Sequence, residues 1–360
     1  MPSNHASKNH NNSSSLESQE CRLLRTELSS LGVSIKSDEI EQILFAAKRR
    51  WNRFDLFCEG ETFESRLLKW LLNFREADRK TAMDIVRNIA FISYKELRSL
   101  AIFAFKRCSA AISASMVSTP RIPWNAYLDK ESETLREAIS RSLFIAASDD
   151  VLFDFFRRNA QGDNNRLTRD NFVEYYKLDR EERHDLSPHD RVFILDQLSG
   201  SGTSAIRKVN GQWKGKLPTF ARLWPEDVAT RDVYYVPYLA TPIAINNLRN
   251  RIQSWSSEGG PSVTLLPIQI LPVSRALDPK NTGQIDPSAP VSRLCEKYYD
   301  LFVPDTHIEI GGSAVYGYGG AGLTVVLNTN VPNNSIPLIW HSDNDWFPLF
   351  PRVKHHRLKA

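Results

Sequence analysis

The sequence predicts an α/β protein, a mainly parallel sheet with helices on its faces, preceded by an N-terminal all-α module. Three observations carry this. From Cys21 to about Lys106, apolar residues recur at helical spacing and glycine and proline are scarce. Around 109–124 the composition changes, and Pro120 and Pro123 break the helical period. Beyond that point short apolar runs alternate with helical patterns, the order that places parallel strands in one sheet. At 360 residues the chain is long for one ordinary core. The expected divisions are a disordered polar tail over 1–19, a helical module over 20–120, an α/β domain over 121–353 and a basic tail over 354–360.

Within the helical module, Ser37 is positioned to cap a helix with Asp38 and Glu39 in its first turn and Ile40, Ile43, Leu44, Ala47 and Trp51 on one face. Phe63, Leu67, Leu71 and Phe74 mark a second helix, and Ala82, Ile85, Val86 and Ile89 a third. Ser93 and Glu96 form a capping box ahead of Leu97, Leu100, Ala101 and Ala104. In the α/β domain, strands are expected at 142–147, 191–196, 232–237, 263–271 and 323–327. Helices are expected near 150–159, 203–208, 242–255 and 291–302. The Pro- and Asp-rich segment 272–290 reads as a long surface loop.

Composition excludes several classes. Basic and acidic residues number 46 and 42, a balance that argues for solubility rather than a dedicated nucleic-acid surface. Cys21, Cys58, Cys108 and Cys295 form no C-x-x-C pair, so reduced thiols in a cytoplasmic protein are expected. The apolar runs fall short of the roughly 20 residues that cross a bilayer. The polar N-terminus lacks the apolar core of a signal peptide. His184, His189, His307 and His341 have no ligand spacing, and no histidine metal site is expected. Lys48, Arg49, Arg50 and Arg53 flank Trp51 and Phe54; this is a solvated helix face or, alternatively, a nucleic-acid contact.

The chemistry concentrates in 192–204. Val192-Phe193-Ile194-Leu195 reads as a buried central strand, Asp196 stands at its end, and Gly200-Ser201-Gly202-Thr203-Ser204 leads toward an expected helix. Successive backbone N–H groups in such a turn, with a helix N-terminus behind them, make an anion cradle. Asp196 at its rim is placed to accept hydrogen bonds from sugar hydroxyls. A phosphate loop of NTPases is disfavoured, since no lysine follows Gly202. The bland alternative is an ordinary strand-to-helix turn of small residues. Tyr316 to Gly322, including Tyr318, Gly319 and Gly320, is either a mobile loop that stacks a tyrosine on a base or a tight connection into the strand at Leu323.

The stretch 192–204 resembles the PRPP-binding signature of type I phosphoribosyltransferases. By that resemblance Gly200 to Ser204 would hold the 5′-phosphate and Asp196 the ribose hydroxyls. The family's second acid is replaced by Gln197, whose amide still reaches a hydroxyl but carries no charge. Further segments are similar to the phosphoribosyltransferase-like domain of prokaryotic conflict systems. These are Arg141-Ser142-Leu143-Phe144 with Ser148-Asp149, Trp213-Lys214-Gly215-Lys216, Tyr316 to Gly322, Pro332 to Pro337 with Trp340, and Trp346 to Arg352.

The resemblance implies type I phosphoribosyltransferase topology and a phosphoribosyl ligand, PRPP or a nucleotide, with Mg²⁺ and no direct protein ligation of the metal. It also implies glycosyl transfer at ribose C1 if the chain is active, and a role in anti-phage defence beside a partner protein. That partner would be a reverse transcriptase, its nucleic acid or another defence component. The alternatives are a non-catalytic nucleotide sensor and a scaffold subunit. Asp149 and Asp150, where pyrophosphate would lie, would repel it unless magnesium intervened; equally, they suit the first turn of a helix.

Overall fold

The computed structural model describes residues 18–117, 133–148, 152–174, 186, 188–224, 230–301, 314–342 and 345–353. Asp149, Asp150 and the basic segment 354–360 lie outside them, as does the N-terminal tail before Ser18.

Ser18 caps α1 (Gln19–Ser30) by accepting from the Cys21 amide. The next helix, α2 (Ser37–Arg49), has acids in its first turn and bases in its last, both favourable to the helix dipole. Its cap is Lys36, not the expected Ser37, which lies one position inside and accepts from Arg25 instead. Thr62 and Ser65 form a capping box on α3 (Phe63–Leu71). Then follow α4 (Glu76–Arg87), the short strand β1 (Ala90–Ile92) and α5 (Tyr94–Val117). At the start of α5, Ser93 donates through N–H and Oγ to Glu96 Oε2, and the Glu96 amide returns a bond to Ser93 Oγ.

The remaining elements are α6 (Glu133–Ser140), β2 (Ser142–Ala146), α7 (Phe153–Asp163), β3 (Phe172–Glu174), β4 (Arg191–Ser199), β5 (Arg207–Val209), β6 (Gln212–Lys214) and α8 (Lys216–Leu223). After them come β7 (Asp232–Ala240), α9 (Pro242–Ser257), β8 (Val263–Leu265), β9 (Gln269–Ile270), α10 (Pro290–Tyr299), β10 (Val325–Leu327) and α11 (Pro337–Trp340). The single strand expected over 263–271 is interrupted around Pro267, which has no N–H to give a ladder.

The main sheet runs β3-β2-β4-β7-β8, all pairs parallel, with β9 also on β7. Its central strands are buried on both faces, which is why they read as unbroken apolar runs. Side chains alternate between two cores. Leu143, Ile145, Val192, Ile194, Val233 and Tyr235 face α8 and α9. Phe144, Phe193, Tyr234 and Val236 face α5, α6 and α7. Aromatic rings form a row across four adjacent strands: Phe172 on Phe144 at 5.5 Å, Phe144 on Phe193 at 5.3 Å and Phe193 on Tyr234 at 4.6 Å, all stacked. Such cross-strand pairs fix the register.

The helices expected as a separate module do not form a core apart. Ala101, Ala104, Phe105, Cys108 and Ile112 of α5 cover the sheet. Residues of α1 to α4 share one core with Val273, Leu294, Tyr298, Val326, Leu338 and Phe350, and β1 pairs in parallel with β10. Trp51 and Phe54 are buried there, so they offer no rings to a nucleic acid. Arg66 locks the arrangement: buried, it pairs with Glu61 at 2.7 Å and donates to the Pro348 carbonyl at 2.8 Å. Amphipathic spacing shows that a helix has an apolar face but does not name what buries it.

Asp78 on α4 accepts from Lys297 Nζ at 2.6 Å and Tyr298 hydroxyl at 2.7 Å on α10. Burial pushes its carboxyl up, but these bonds outweigh that and hold it below the usual carboxylate range. A folded pKa below the unfolded one means the contact stabilises above the ordinary pKa of about 4 and is lost as pH falls through the folded value. Urea unfolding between about pH 5 and pH 2 should therefore show a smaller acid loss in Asp78→Asn than in the parent.

Candidate functional site

In the main sheet the chain visits β2, steps to β3 on one side, then crosses to β4 on the other. Ligands of parallel α/β sheets lie beyond the carboxyl ends of the strands at such a reversal. The segments leaving β2 and β4 there are joined directly, for the Gln197 amide donates to Ser148 Oγ at 3.3 Å.

The loop after β4 does not enter a helix. Residues 200–205 form turns and bends, and only one helical bond, Ile206 N–H to the Gly202 carbonyl, follows. The chain then makes the β5–β6 hairpin, whose first strand takes up the end of the helix expected at 203–208. Asn210 and Gly211, with φ of 51° and 76°, form its two-residue turn. Next comes α8, entered through Gly215. Its first amides are already taken, Lys216 by the Ser204 carbonyl and Leu217 by the Ala205 carbonyl, and Pro218 has none. So no helix N-terminus backs the cradle.

Among the described residues, the N–H groups of Ser201, Gly202 and Ser204 have no acceptor. The loop is held from behind by α9: Thr241 Oγ1 donates to the Gly200 carbonyl at 2.5 Å and Asn247 to the Ser201 carbonyl at 3.1 Å. Glycine at 202 (φ 74°) has no room for a Cβ, which would lie 2.9 Å from Leu248 of α9.

A pocket of about 660 Å³ opens in front of this loop. Gly200, Ser201 and Ser204 form one wall. The hairpin and α8 supply Arg207, Lys214, Lys216 and Arg222, and the opposite side carries Tyr318, Asn333 and Asn334. Among the described residues, no Asp or Glu lines it. The structure therefore brings together the small-residue loop, the Trp213–Lys216 segment, the glycine-rich segment and the Pro-Asn-Asn turn, which lie far apart in sequence.

Other expected site residues lie behind this lining. Asp196 is buried at 2% exposure, and its Oδ2 accepts from Lys216 Nζ at 2.6 Å and Tyr235 hydroxyl at 2.7 Å. Its Oδ1 accepts from the Gln197 amide at 3.0 Å. In this arrangement Asp196 is buried behind the lining rather than at the rim, and it anchors Lys216. Burial and the adjacent Asp196 carboxylate push the Tyr235 hydroxyl well above its ordinary pKa, so it remains a donor. Gln197 is buried and does not line the pocket. Thr203 turns inward, its Oγ1 accepting from Ser201 Oγ at 3.0 Å and Arg251 at 3.4 Å.

The glycine-rich segment divides likewise. Tyr318 faces the pocket, whereas the Tyr316 hydroxyl donates to Glu296 on α10 at 2.6 Å. Gly319 abuts Ser201, leaving no room for a Cβ, and Gly320 faces open space. The segment is closed on itself and on the turn opposite, through Gly322 N–H to the Tyr316 carbonyl and Tyr318 N–H to the Asn333 carbonyl. It is the tight connection of the two alternatives, and it presents a single ring.

The basic residues are the part that motif reasoning missed. A signal for them exists: between Asp196 and Glu226 the chain holds Arg207, Lys208, Lys214, Lys216 and Arg222 and no acid. The Asn210-Gly211 pair similarly signals the hairpin that points them inward.

Magnesium takes oxygen ligands, usually one or two carboxylates with substrate phosphates. The pocket lining has no carboxylate, Asp196 is engaged, and no group of three metal-binding side chains occurs among the described residues. The described lining does not fit a protein-held Mg²⁺.

A parallel sheet of this order, with a small-residue loop at its switch point and helices packed on it, is that expected of a phosphoribosyltransferase-like domain. The chain belongs to the PRTase-CE family, whose sequence profile matches residues 67–352. That span begins within α3, in keeping with a core shared between the N-terminal helices and the C-terminal segments. No curated protein and no solved structure matches the chain.

Proposed function

We propose that the pocket binds a phosphorylated ribose compound, PRPP or a nucleotide. Its phosphate would lie against the Ser201 and Ser204 amides and the hairpin cations, and Tyr318 would flank the base or sugar. The observation that carries this is a loop whose Ser201 and Ser204 amides have no acceptor among the described residues and which lines one pocket with four cationic side chains and, among those residues, no acid. Charge-assisted bonds from such groups contribute about 1.5–3 kcal/mol each.

The geometry favours a binding or sensing role over transfer at ribose C1. An oxocarbenium-like transition state needs negative charge beside the sugar, and the carboxylate expected to supply it, Asp196, is committed to Lys216 and Tyr235. Transferase activity is the second reading, favoured by the family. Incubating the protein with PRPP, Mg²⁺ and mixed bases, nucleosides and nucleotides should give saturable binding without pyrophosphate release. Release that disappears in Asp196→Ala would establish the transferase instead.

The setting is proposed on the resemblance alone: an anti-phage defence system in the cytoplasm, with a partner protein such as a reverse transcriptase or with its nucleic acid. Among the described residues no helix is long and apolar enough to cross a membrane. Purifying the native complex tests the partner. Co-purifying nucleic acid with no response to small phosphates would favour the scaffold reading.

A further inference from the structure

We infer that the pocket takes its ligand as a metal-free anion carrying at least two phosphate groups, the protein's own cations replacing magnesium. This rests on the proposed phosphate-binding role of the same pocket. Arg207, Lys214, Lys216 and Arg222 line it, with no acid beside them among the described residues. Asp196, just behind, offsets Lys216 alone. Four positive charges less one leaves a lining of about +3. A phosphomonoester carries about −1.5 to −2 near neutral pH, so one phosphate leaves the pocket positive. Two phosphate groups on one ligand roughly neutralise it, as in a nucleoside diphosphate; PRPP, with a phosphate at one end and a diphosphate at the other, carries more than enough charge.

A divalent cation added to such a lining has the wrong sign. It would cancel charge on the ligand that the side chains are placed to meet, and the described lining holds no carboxylate to bind it. The hairpin explains how the cations reach the site. Its tight turn returns Lys214 beside Arg207, which donates to the Thr203 carbonyl at 3.2 Å. On α8, Arg222 is steadied by Thr219, to whose Oγ1 it donates at 3.0 Å. Lys214 and Arg222 are exposed outside their pocket contacts, so removing either leaves the fold intact.

Calorimetric titration of the full chain with ribose 5-phosphate, PRPP and adenosine diphosphate, each in EDTA and in excess Mg²⁺, tests this. Adenosine diphosphate and PRPP should bind in EDTA roughly tenfold or more tightly than ribose 5-phosphate. Saturating Mg²⁺ should weaken them several-fold, and Lys214→Ala and Arg222→Ala should each weaken them roughly tenfold in EDTA. Binding that requires Mg²⁺ overturns the inference while the phosphate-binding role stands, and loss of that binding in Asp149→Asn would place the metal on the loop after β2. Equal affinity for one and two phosphates in EDTA also overturns it. No binding of any of the three ligands under either condition overturns both the inference and the proposed function.

Discussion

Asp196→Ala should lower the stability of the protein by about 3 kcal/mol, near the lower end of what breaking a buried ion pair costs. The carboxylate is buried, whereas Lys216 keeps 22% of its side chain exposed and regains some hydration once released. The Tyr235 hydroxyl has no such escape, since its residue is fully buried and its donor would be left without that acceptor. Asp196→Asn should fall between, retaining an acceptor for Tyr235 but not the charge that holds Lys216. Urea midpoints for the three proteins check this. A loss under about 1 kcal/mol for the alanine variant would mean that the carboxylate is not committed to this pair. The same series separates anchoring from direct sugar contact: an Asp196 that touched ribose would lose affinity in the Asn variant without a matching loss of stability.

Gly317→Ala should be about as damaging and should also empty the pocket of affinity. Gly317 has φ 82° and ψ 170°, a region open essentially to glycine, and a Cβ there would lie 2.3 Å from the Asn334 carbonyl oxygen. Backbone strain of about 1–3 kcal/mol adds to an overpacking cost of about 1–3 kcal/mol. Relief requires moving the Asn333–Asn334 turn, which carries two pocket residues and holds Tyr318 through its amide and carbonyl. Affinity for the phosphorylated ligand should fall at least roughly tenfold, the equivalent of one lost charge-assisted bond. Gly320→Ala is the control: φ is 64° but a Cβ meets nothing within 4 Å, so only about 1–2 kcal/mol of backbone strain is expected. Thermal unfolding and calorimetry on both variants decide the matter, and equal behaviour of the two would contradict the packing described.

The central strands were legible because burial on both faces makes them continuous apolar runs, as in Leu143-Phe144-Ile145 and Val192-Phe193-Ile194-Leu195. The helices α9 and α10 were legible from spacing, each with proline in its first turn. Three-residue strands such as β3 carry too little pattern to be read, and their existence depends on a neighbour. The helix expected at 203–208 failed because a run of small residues specifies no periodicity, and the informative pair, Asn210-Gly211, lay just beyond it. The division into two domains failed because amphipathic faces of α1 to α4 match any apolar surface, here one made of residues some 200 to 300 positions away, as in the bond from Trp70 Nε1 to the Leu338 carbonyl.

At the site, the small-residue loop was legible as a turn after the central strand because its composition is local. The role of Asp196 was not, since it is set by Lys216, twenty residues on, and by Tyr235 on the neighbouring strand. Burial of a charged group becomes visible only when its partner is in place.

A crystal structure of the protein with ribose 5-phosphate tests the central claim most directly. The account predicts phosphate oxygens within hydrogen-bond distance of the Ser201 and Ser204 amides, with Lys214 or Arg222 turned toward them. A phosphate bound elsewhere, or those amides found paired with protein carbonyls, would contradict it.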